Sequence, residues 1–286
     1  MKVVGRINGN KNITLSNLDN MENKKIAIIG VGNMGGAIAV GLLKSGFVPA
    51  SDIFVADRKE STLKKMSDLG VNTFQNNLEA TKNADVIIVA VKPYHIEGVI
   101  NEIKPVLSPE KIFISIVAGV GINELGEMAG NDIPIFRVMP NTAIALQESL
   151  TCISANGNTD PHKDYVVELF NKLGKTVEIG EELMAAATVL SSCGIAYALR
   201  YIRAAMQGGI EIGFGAEMAQ FITAQTVKGA TELVLQSGNH PEREIDKVTT
   251  PMGVTITGLN EMEHKGFSSS LIQGVLASYK KIDNSK

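Results

Sequence analysis

The chain has 286 residues, of which 44% are hydrophobic and 20% are charged, and its 27 basic and 30 acidic side chains give a formal net charge of −3. This composition is typical of a globular protein of about two domains, and no basic stripe points to a nucleic-acid partner. Two cysteines and four histidines, none in metal-ligand spacing, exclude a disulfide framework and a structural zinc site.

Neither a membrane span nor a signal peptide is predicted. Every contiguous apolar run is shorter than the roughly 18 residues that indicate a transmembrane helix. The N-terminus has no apolar region followed by a small-residue cleavage site. We therefore expect a cytoplasmic protein with no membrane partner. Residues 1–23 are rich in asparagine and lack an amphipathic period, so we expect a flexible tail there.

Residues 24–182 alternate short apolar runs with segments of helical period. Strands are predicted at residues 25–30, 52–56, 71–74, 85–91, 111–117 and 135–138. Helices are predicted at residues 37–45, 61–69, 78–82 and 96–103. Strands separated by helices predict βαβ units. The fold class is therefore α/β, with an N-terminal Rossmann-type domain built on a mostly parallel sheet.

Residues 183–286 lose the strand pattern and read as an all-α C-terminal domain. Long segments, such as residues 182–190 and 196–206, place alanine, leucine, isoleucine and methionine at helical spacing. Their apolar content exceeds the single stripe that a surface helix needs. We therefore expect these helices to bury apolar surface against a second subunit and to form a homodimer.

The first strand ends in a G-x-G-x-x-G motif formed by Gly30, Gly32 and Gly35, with Asn33 and Met34 between the last two glycines. The motif follows a strand and opens a helix, which is the context of a dinucleotide-binding turn. Gly30 permits the tight turn, Gly32 lets the backbone approach a pyrophosphate, and Gly35 permits close packing of helix on strand. Free N–H groups at the helix start favour the phosphates.

The ends of later strands supply further candidates for cofactor binding. Asp57 follows the second strand and favours NAD, whereas the adjacent Arg58 suits the 2′-phosphate of NADP, so spacing leaves the cofactor open. Because ligands of open α/β sheets lie beyond the carboxyl ends of the strands, two further groups of residues are placed near the cofactor. These are Val91, Lys92 and Pro93 after the fourth strand, and Asn141 within the RVMPNTA segment at residues 137–143. His95 is expected to be a surface residue near a helix end.

A second candidate site lies at residues 248–255, VTTPMGVT. Thr250 followed by Pro251 has the pattern of an N-cap and an N1 proline, which predicts a helix start. The N–H groups after the proline are suited to binding a small carboxylate without an arginine.

Together these segments resemble pyrroline-5-carboxylate reductase, in the same order, from Lys24 to about Tyr279. The most specific match is DKVTTPMGVT at residues 246–255, which resembles the family signature D-x-V-x-S-P-G-G-x-T. The chain departs from the family at four places. Thr250 replaces a serine, Met252 replaces the first glycine of the pair, Ile195 replaces a proline, and Gln207-Gly208 replaces an Asp-Ala-like pair.

The resemblance implies an enzyme that reduces L-1-pyrroline-5-carboxylate to L-proline with NAD(P)H, the last step of proline biosynthesis. It implies NADP(H) as the favoured cofactor, with NAD(H) as the alternative. It also implies a homodimer formed through the C-terminal helices, larger rings of dimers, and a substrate held between the nicotinamide of one chain and the threonine turn of its partner.

The resemblance also assigns site residues. Thr255 is the catalytic residue and hydrogen-bonds the ring nitrogen, Thr250 and the N–H groups of Gly253 and Val254 hold the carboxylate, and Asn77 contacts the cofactor. Two alternatives stay open: another NAD(P)-dependent imine or β-hydroxyacid oxidoreductase, and a nucleotide-binding protein with weakened catalysis.

Overall fold

A computed structural model describes residues 6–7, 24–157, 159 and 161–283. The chain forms two compact units, one extending to Cys193 and one spanning Gly194–Lys281. Most of the expected N-terminal tail, residues 1–5 and 8–23, lies outside the described residues. The two described residues within it, Arg6–Ile7, form a short strand, β1.

The first unit is built around one nine-stranded sheet. Its further strands are β2 Ile26–Ile29, β3 Ile53–Ala56, β4 Asn72–Phe74, β5 Val86–Val89, β6 Ile112–Ser115, β7 Ile135–Met139, β8 Ser149–Ala155 and β9 Gly174–Glu178. The strand order is β1-β9-β8-β7-β6-β5-β2-β3-β4. Strands β2 to β7 are parallel to one another and follow the order of a Rossmann sheet. The predicted α/β fold class is therefore confirmed.

Helices cover both faces of this sheet. They are α1 Asn33–Ser45, α2 Glu60–Ser67, α3 Asn77–Thr81, α4 Ile96–Ile103, α5 Ile122–Ala129, α6 Lys163–Asn171 and α7 Met184–Ala187. Alternate side chains of the central strands enter two separate apolar clusters, because successive side chains of a strand point to opposite faces. Helices α1 and α6 pack in one cluster, and α4 and α5 pack in the other. Strands β2 and β5 at the centre of the sheet are buried on both faces, which explains their continuous apolar sequence.

The sequence did not predict α5, β8, α6 and β9. Strand β8 runs antiparallel to β7, and β9 continues parallel to β8. In β8 the buried side chains include Ser149 and Thr151, whose hydroxyls lie 3.1 Å apart and share a hydrogen bond. Leu150 between them is 40% exposed. The polar side chains point inward and an apolar one points outward, so the pattern of hydrophobicity conceals the strand.

The second unit is entirely helical in its described part. After a π-helical segment at Thr188–Cys193, which closes the first unit, it comprises α8 Gly194–Glu211, α9 Ala216–Ser237, α10 Pro241–Val248, α11 Val254–His264 and α12 Phe267–Asp283. Only Ala219 and Glu244 are buried among its described residues. Large apolar side chains such as Phe221 and Leu235 are 68% and 71% exposed. One chain therefore leaves the apolar faces of these helices uncovered.

One run of helix, Glu181–Glu211, is long and apolar enough to cross a membrane by length and composition alone, and it is the single such run in the described part of the chain. Serines and threonines interrupt the apolar residues of this run, so no contiguous apolar stretch is as long as the run itself. The mean hydropathy of the run is nevertheless high enough for a membrane span. Helices that pack against other helices in soluble proteins pass the same test, so this helix alone does not indicate a membrane.

Candidate functional site

In the glycine turn between β2 and α1, close contacts leave no room for a side chain at Gly30 or Gly35. Gly30 has φ +86°, and a Cβ there would lie 2.9 Å from the carbonyl oxygen of Ala90. A Cβ on Gly35 would lie 2.0 Å from the carbonyl oxygen of Gly30, so α1 packs directly on the turn. A Cβ on Gly32 would meet nothing within 4 Å. Gly32 therefore faces open space, as expected of a backbone that a pyrophosphate approaches.

This open space is a cleft of about 760 Å³ at the carboxyl ends of the parallel strands. Gly32 is the N-cap of α1 and no side chain caps this helix, so its first N–H groups are available to an anion. Several of the predicted cofactor residues line the cleft: Gly30, Gly32, Asn33, Met34, Asp57, Arg58, Asn77, Val91 and Lys92. The cleft thus has the position, the donors and the glycine backbone that a dinucleotide requires.

Asp57 binds the turn itself. Its Oδ2 accepts a hydrogen bond from the Val31 N–H at 3.0 Å, and its Oδ1 accepts one from the Lys59 N–H at 2.9 Å. Both carboxylate oxygens are thereby held by the backbone, one of them within the glycine motif. In the sequence, Asp57 favoured NAD and Arg58 favoured NADP. The structure explains why both are present, because Asp57 orders the loop that presents Arg58.

Arg58 reaches across the cleft to a residue that sequence reasoning left on the surface. Its guanidinium nitrogen lies 3.0 Å from Nε2 of His95. His95 lines the cleft together with Tyr94, whose ring centroid lies 4.4 Å from that of His95. Further lining residues that the sequence analysis did not identify are Lys59, Thr62, Gly98 and Glu102. The available signal was position, since Tyr94 and His95 follow the end of β5.

Asn77 begins α3 and lies in the cleft wall. The amide of Asn76 caps this helix by accepting from the Glu79 N–H at 3.0 Å. The Nδ2 group of Asn77 donates to Oε2 of Glu102 at 2.6 Å. Asn77 lines the cleft, so its side chain can still contact a ligand.

Three of the predicted cofactor residues do not line the cleft. Gly35 lies behind the turn, and Pro93 begins a short 3₁₀ helix. Asn141 is buried, and its side chain accepts from the Ala143 N–H at 3.0 Å and donates to the Ser191 carbonyl at 3.3 Å. The Asn141 side chain therefore ties the segment after β7 to the π-helical segment.

The segment around β7 is held at two more points to the helical run Glu181–Glu211, which contains the π-helical segment. The hydroxyl of Ser192 donates to the carbonyl of Pro140 at 2.7 Å. The guanidinium of Arg137, a buried side chain on β7, lies 2.5 Å from the carboxylate of Glu181. The same carboxylate oxygen accepts from the Ile122 N–H at 3.3 Å. These contacts make the RVMPNTA segment a structural junction.

The threonine turn lies between α10 and α11 in the second unit. The Gly253 N–H donates to the carbonyl oxygen of Thr250 at 2.9 Å, and Met252 has φ +59°. These features describe a β-turn with proline second and a left-handed residue third, a position that favours glycine. The predicted helix start at Thr250 is wrong. Helix α11 begins at Val254 with Gly253 as its N-cap, because the left-handed Met252 cannot belong to a helix.

The turn brings the predicted substrate residues together. A Cβ on Gly253 would lie 2.5 Å from Oγ1 of Thr250, so only glycine allows that hydroxyl its position. Since the Gly253 N–H is already donated, the free backbone donors begin at Val254 and Thr255, the first two residues of α11. Among the residues that the structure describes, the Thr250 and Thr255 hydroxyls have no hydrogen-bond partner. Met252 and Val254 beside them are almost fully exposed.

Other reactive groups in the described residues do not form a site. Cys152 is buried, and burial raises the pKa of its thiol. No group of three or more His, Cys, Asp or Glu side chains that could hold a metal ion is found in the described part of the chain.

Two family models match the chain, one for each part of the fold. Residues 181–285 match pyrroline-5-carboxylate reductase dimerisation, and residues 25–119 match NADP oxidoreductase coenzyme F420-dependent. Among relatives, pyrroline-5-carboxylate reductase 2 of Dictyostelium discoideum is 40% identical, over 94% of this chain and 95% of its own length. Pyrroline-5-carboxylate reductase 1 of the same organism is 43% identical over 88% of this chain, which spans 48% of that longer protein.

The structure is also similar to solved structures of the same family. Plasmodium falciparum pyrroline carboxylate reductase with NADP bound has a TM-score of 0.84 and 33% identity, covering 92% of this chain and 98% of that one. The Coxiella burnetii pyrroline-5-carboxylate reductase has a TM-score of 0.82 and 28% identity, covering 91% and 98% of the respective chains. The glycine turn, the cleft at the strand ends, the threonine turn and these similarities lead to one conclusion: the chain belongs to the pyrroline-5-carboxylate reductase family of NAD(P)-dependent oxidoreductases.

Proposed function

We propose that this chain reduces L-1-pyrroline-5-carboxylate to L-proline, the last step of proline biosynthesis. The observation that carries the proposal is the threonine turn, which presents two unpartnered hydroxyls at an uncapped helix start in a chain that also has a dinucleotide cleft. The turn offers donors for a small carboxylate, and the cleft fits a nicotinamide cofactor.

The reduced nicotinamide supplies the hydride when it is bound. The protein's part is to hold the cofactor. The open face of Gly32 and the first N–H groups of α1 receive the pyrophosphate, and Asn77, Val91 and Lys92 line the cleft beside it. We favour NADP(H) over NAD(H), because both oxygens of Asp57 are held by backbone N–H groups while Arg58 presents a guanidinium suited to a 2′-phosphate. The Plasmodium relative with NADP bound supports this preference.

At the substrate, the threonine turn has two tasks. The Thr250 hydroxyl and the Val254 N–H hold the carboxylate, and Gly253 contributes by leaving room for Thr250. The Thr255 hydroxyl hydrogen-bonds the ring nitrogen and orients the imine for hydride attack at about 3–3.5 Å. A cyclic imine is basic enough to be protonated in water near neutrality, so no dedicated strong acid is needed.

The uncovered apolar helices of the second unit support a homodimer, and larger rings of dimers are an extension of the same proposal. In such a dimer the substrate lies between the nicotinamide of one chain and the threonine turn of its partner. A cytoplasmic location belongs to the proposal as well, and imaging of the tagged protein in its native cell tests it.

The role of Thr255 is tested by two substitutions. We expect Thr255→Ala to lower kcat/KM for pyrroline-5-carboxylate about 10²-fold, the scale of losing one positioned hydrogen bond. Thr255→Ser keeps the hydroxyl and is expected to retain most of the activity. Near-normal activity of Thr255→Ala, measured in the same assay, argues against this role.

The function is tested by following loss of reduced-cofactor absorbance with racemic pyrroline-5-carboxylate, in parallel with NADPH and NADH. We expect rapid oxidation with proline as product and a higher kcat/KM with NADPH. Folded protein that binds a cofactor and oxidises neither with this imine contradicts the proposal. Activity with a six-membered cyclic imine or a β-hydroxyacid instead would redirect it to another oxidoreductase.

A further inference from the structure

The two walls of the cofactor cleft meet at one hydrogen bond. Arg58 follows β3, and His95 ends the short 3₁₀ helix Pro93–His95 that follows β5, 37 residues along the chain. The guanidinium nitrogen of Arg58 and Nε2 of His95 are 3.0 Å apart. A guanidinium has only N–H donors, so Nε2 of His95 is the acceptor in this hydrogen bond.

His95 is itself held in place. Its backbone N–H donates to the carbonyl of Lys92 at 2.9 Å, and its ring packs against that of Tyr94. Arg58, in contrast, has an exposed side chain. The hydrogen bond therefore ties the exposed Arg58 side chain to a residue whose backbone is held within the 3₁₀ helix.

We propose that His95 is a positioning residue that determines cofactor specificity by holding Arg58 ready for the 2′-phosphate of NADP(H). An arginine loses rotamer freedom when it is ordered, so a side chain ordered in advance binds the phosphate more tightly. Only one N–H of the guanidinium is used by His95, and the remaining donors stay available to phosphate oxygens.

The proposal makes His95 selective between cofactors. NAD(H) lacks the 2′-phosphate, so the order of Arg58 does not affect its binding. His95 acts only through Arg58 and contributes nothing once Arg58 is absent. The inference rests on the dinucleotide cleft of the proposed function and adds the residue that determines its preference.

The experiment measures binding of two probes to the full-length protein by calorimetry, adenosine 2′,5′-bisphosphate and AMP. His95→Leu removes the acceptor, and His95→Gln retains one and is the matched control. We expect His95→Leu to weaken the bisphosphate about five-fold and to leave AMP unchanged, since a typical hydrogen bond has that effect. His95→Gln is expected to restore most of the difference.

A double-mutant cycle separates positioning from direct contact. In an Arg58→Met background, His95→Leu is expected to produce no further loss of bisphosphate binding. The proposal is overturned if His95→Leu weakens both probes equally, weakens neither, or still weakens the bisphosphate when Arg58 is absent. Should His95→Leu fail to fold, His95→Ala takes its place.

Because these probes carry no nicotinamide and the assay contains no imine, the result is independent of the reaction. If the protein fails to reduce pyrroline-5-carboxylate, the proposed function is wrong. The binding measurements would still decide the role of His95. With the active enzyme, the same account predicts that His95→Leu raises the KM for NADPH and not the KM for NADH.

Discussion

The glycines of the turn between β2 and α1 meet two different physical demands, one from the fold and one from a ligand. A Cβ on Gly35 would collide with the backbone of Gly30, whereas a Cβ on Gly32 would enter the open cleft. Gly35 is required by the fold, and Gly32 is required only by a ligand. Both roles were predicted from the motif, because the spacing of glycines after a strand specifies the turn.

Two alanine substitutions separate these demands. We expect Gly35→Ala to lower the free energy of unfolding by about 3 kcal/mol, since the backbone must move to admit the methyl group. Gly32→Ala is expected to change it by less than about 0.5 kcal/mol and yet to weaken NADP⁺ binding at least ~10-fold. Urea unfolding and calorimetry measure the two effects, and a stable Gly32→Ala protein with normal NADP⁺ affinity contradicts the assignment.

Met252 has a left-handed backbone that suits glycine, and its side chain is fully exposed. We expect Met252→Gly to stabilise the protein by about 0.5–1 kcal/mol, because relief of the left-handed strain exceeds the added entropy of the unfolded chain. Thermal unfolding measures the change. A lower melting temperature would mean that the Met252 side chain makes stabilising contacts in the assembled protein.

Among the helices and strands, sequence periodicity predicted those whose buried side chains are apolar. Strands β2 and β5 are buried on both faces and are continuously apolar. Strand β8 was not predicted, because its buried hydroxyls pair with each other. The start of α11 was placed too early, because the Thr250-Pro251 pattern of an N-cap is also the pattern of a β-turn. The contact between Arg58 and His95 joins residues distant in the chain, and no local pattern could predict it.

The junction of α9 and α10 depends on one carboxylate. Glu244 accepts hydrogen bonds from Lys247 at 2.8 Å, from Asn239 at 2.7 Å and from Ser237 at 3.1 Å. The bonds from Lys247 and Asn239 lower the pKa of this carboxyl. A lowered pKa contributes stability above the ordinary carboxyl pKa, and this contribution is lost as the pH falls through the lowered value.

We therefore expect Glu244→Gln to lower the melting temperature at pH 7, and the difference from the unaltered protein to shrink as the pH falls toward 3. Glu242→Gln, an exposed carboxylate on the same helix, is the matched control and is expected to have little effect. Thermal unfolding across this pH range measures both. A difference that does not depend on pH contradicts the role of the Glu244 charge.

The whole molecule requires a second subunit to cover its helical unit. Phe221 on α9 is 68% exposed in the single chain, and few described residues of this unit are buried. The sequence predicted this from composition, since the apolar surface of these helices exceeds one stripe. Composition alone does not specify which helix faces meet, because that depends on how the partner packs.

A charge on the apolar surface of α9 tests the subunit contact. We expect Phe221→Glu to weaken the dimer at least ~10-fold, because the carboxylate must lose water to enter an apolar interface. Gln220→Glu adds the same charge at the neighbouring position and is the control. Sedimentation over a range of concentrations measures the association. A dimer of unchanged affinity in Phe221→Glu shows that this part of α9 does not lie in the interface.

The central claim is hydride transfer to the imine carbon of pyrroline-5-carboxylate. The most direct measurement supplies NADPH carrying deuterium at the transferred position of the nicotinamide and analyses the proline by mass spectrometry and NMR. We predict L-proline with one deuterium on Cδ, the carbon that was doubly bonded to nitrogen. We predict no labelled proline from the variant that combines Thr250→Ala and Thr255→Ala. Absence of proline, or proline without deuterium at Cδ, contradicts the account.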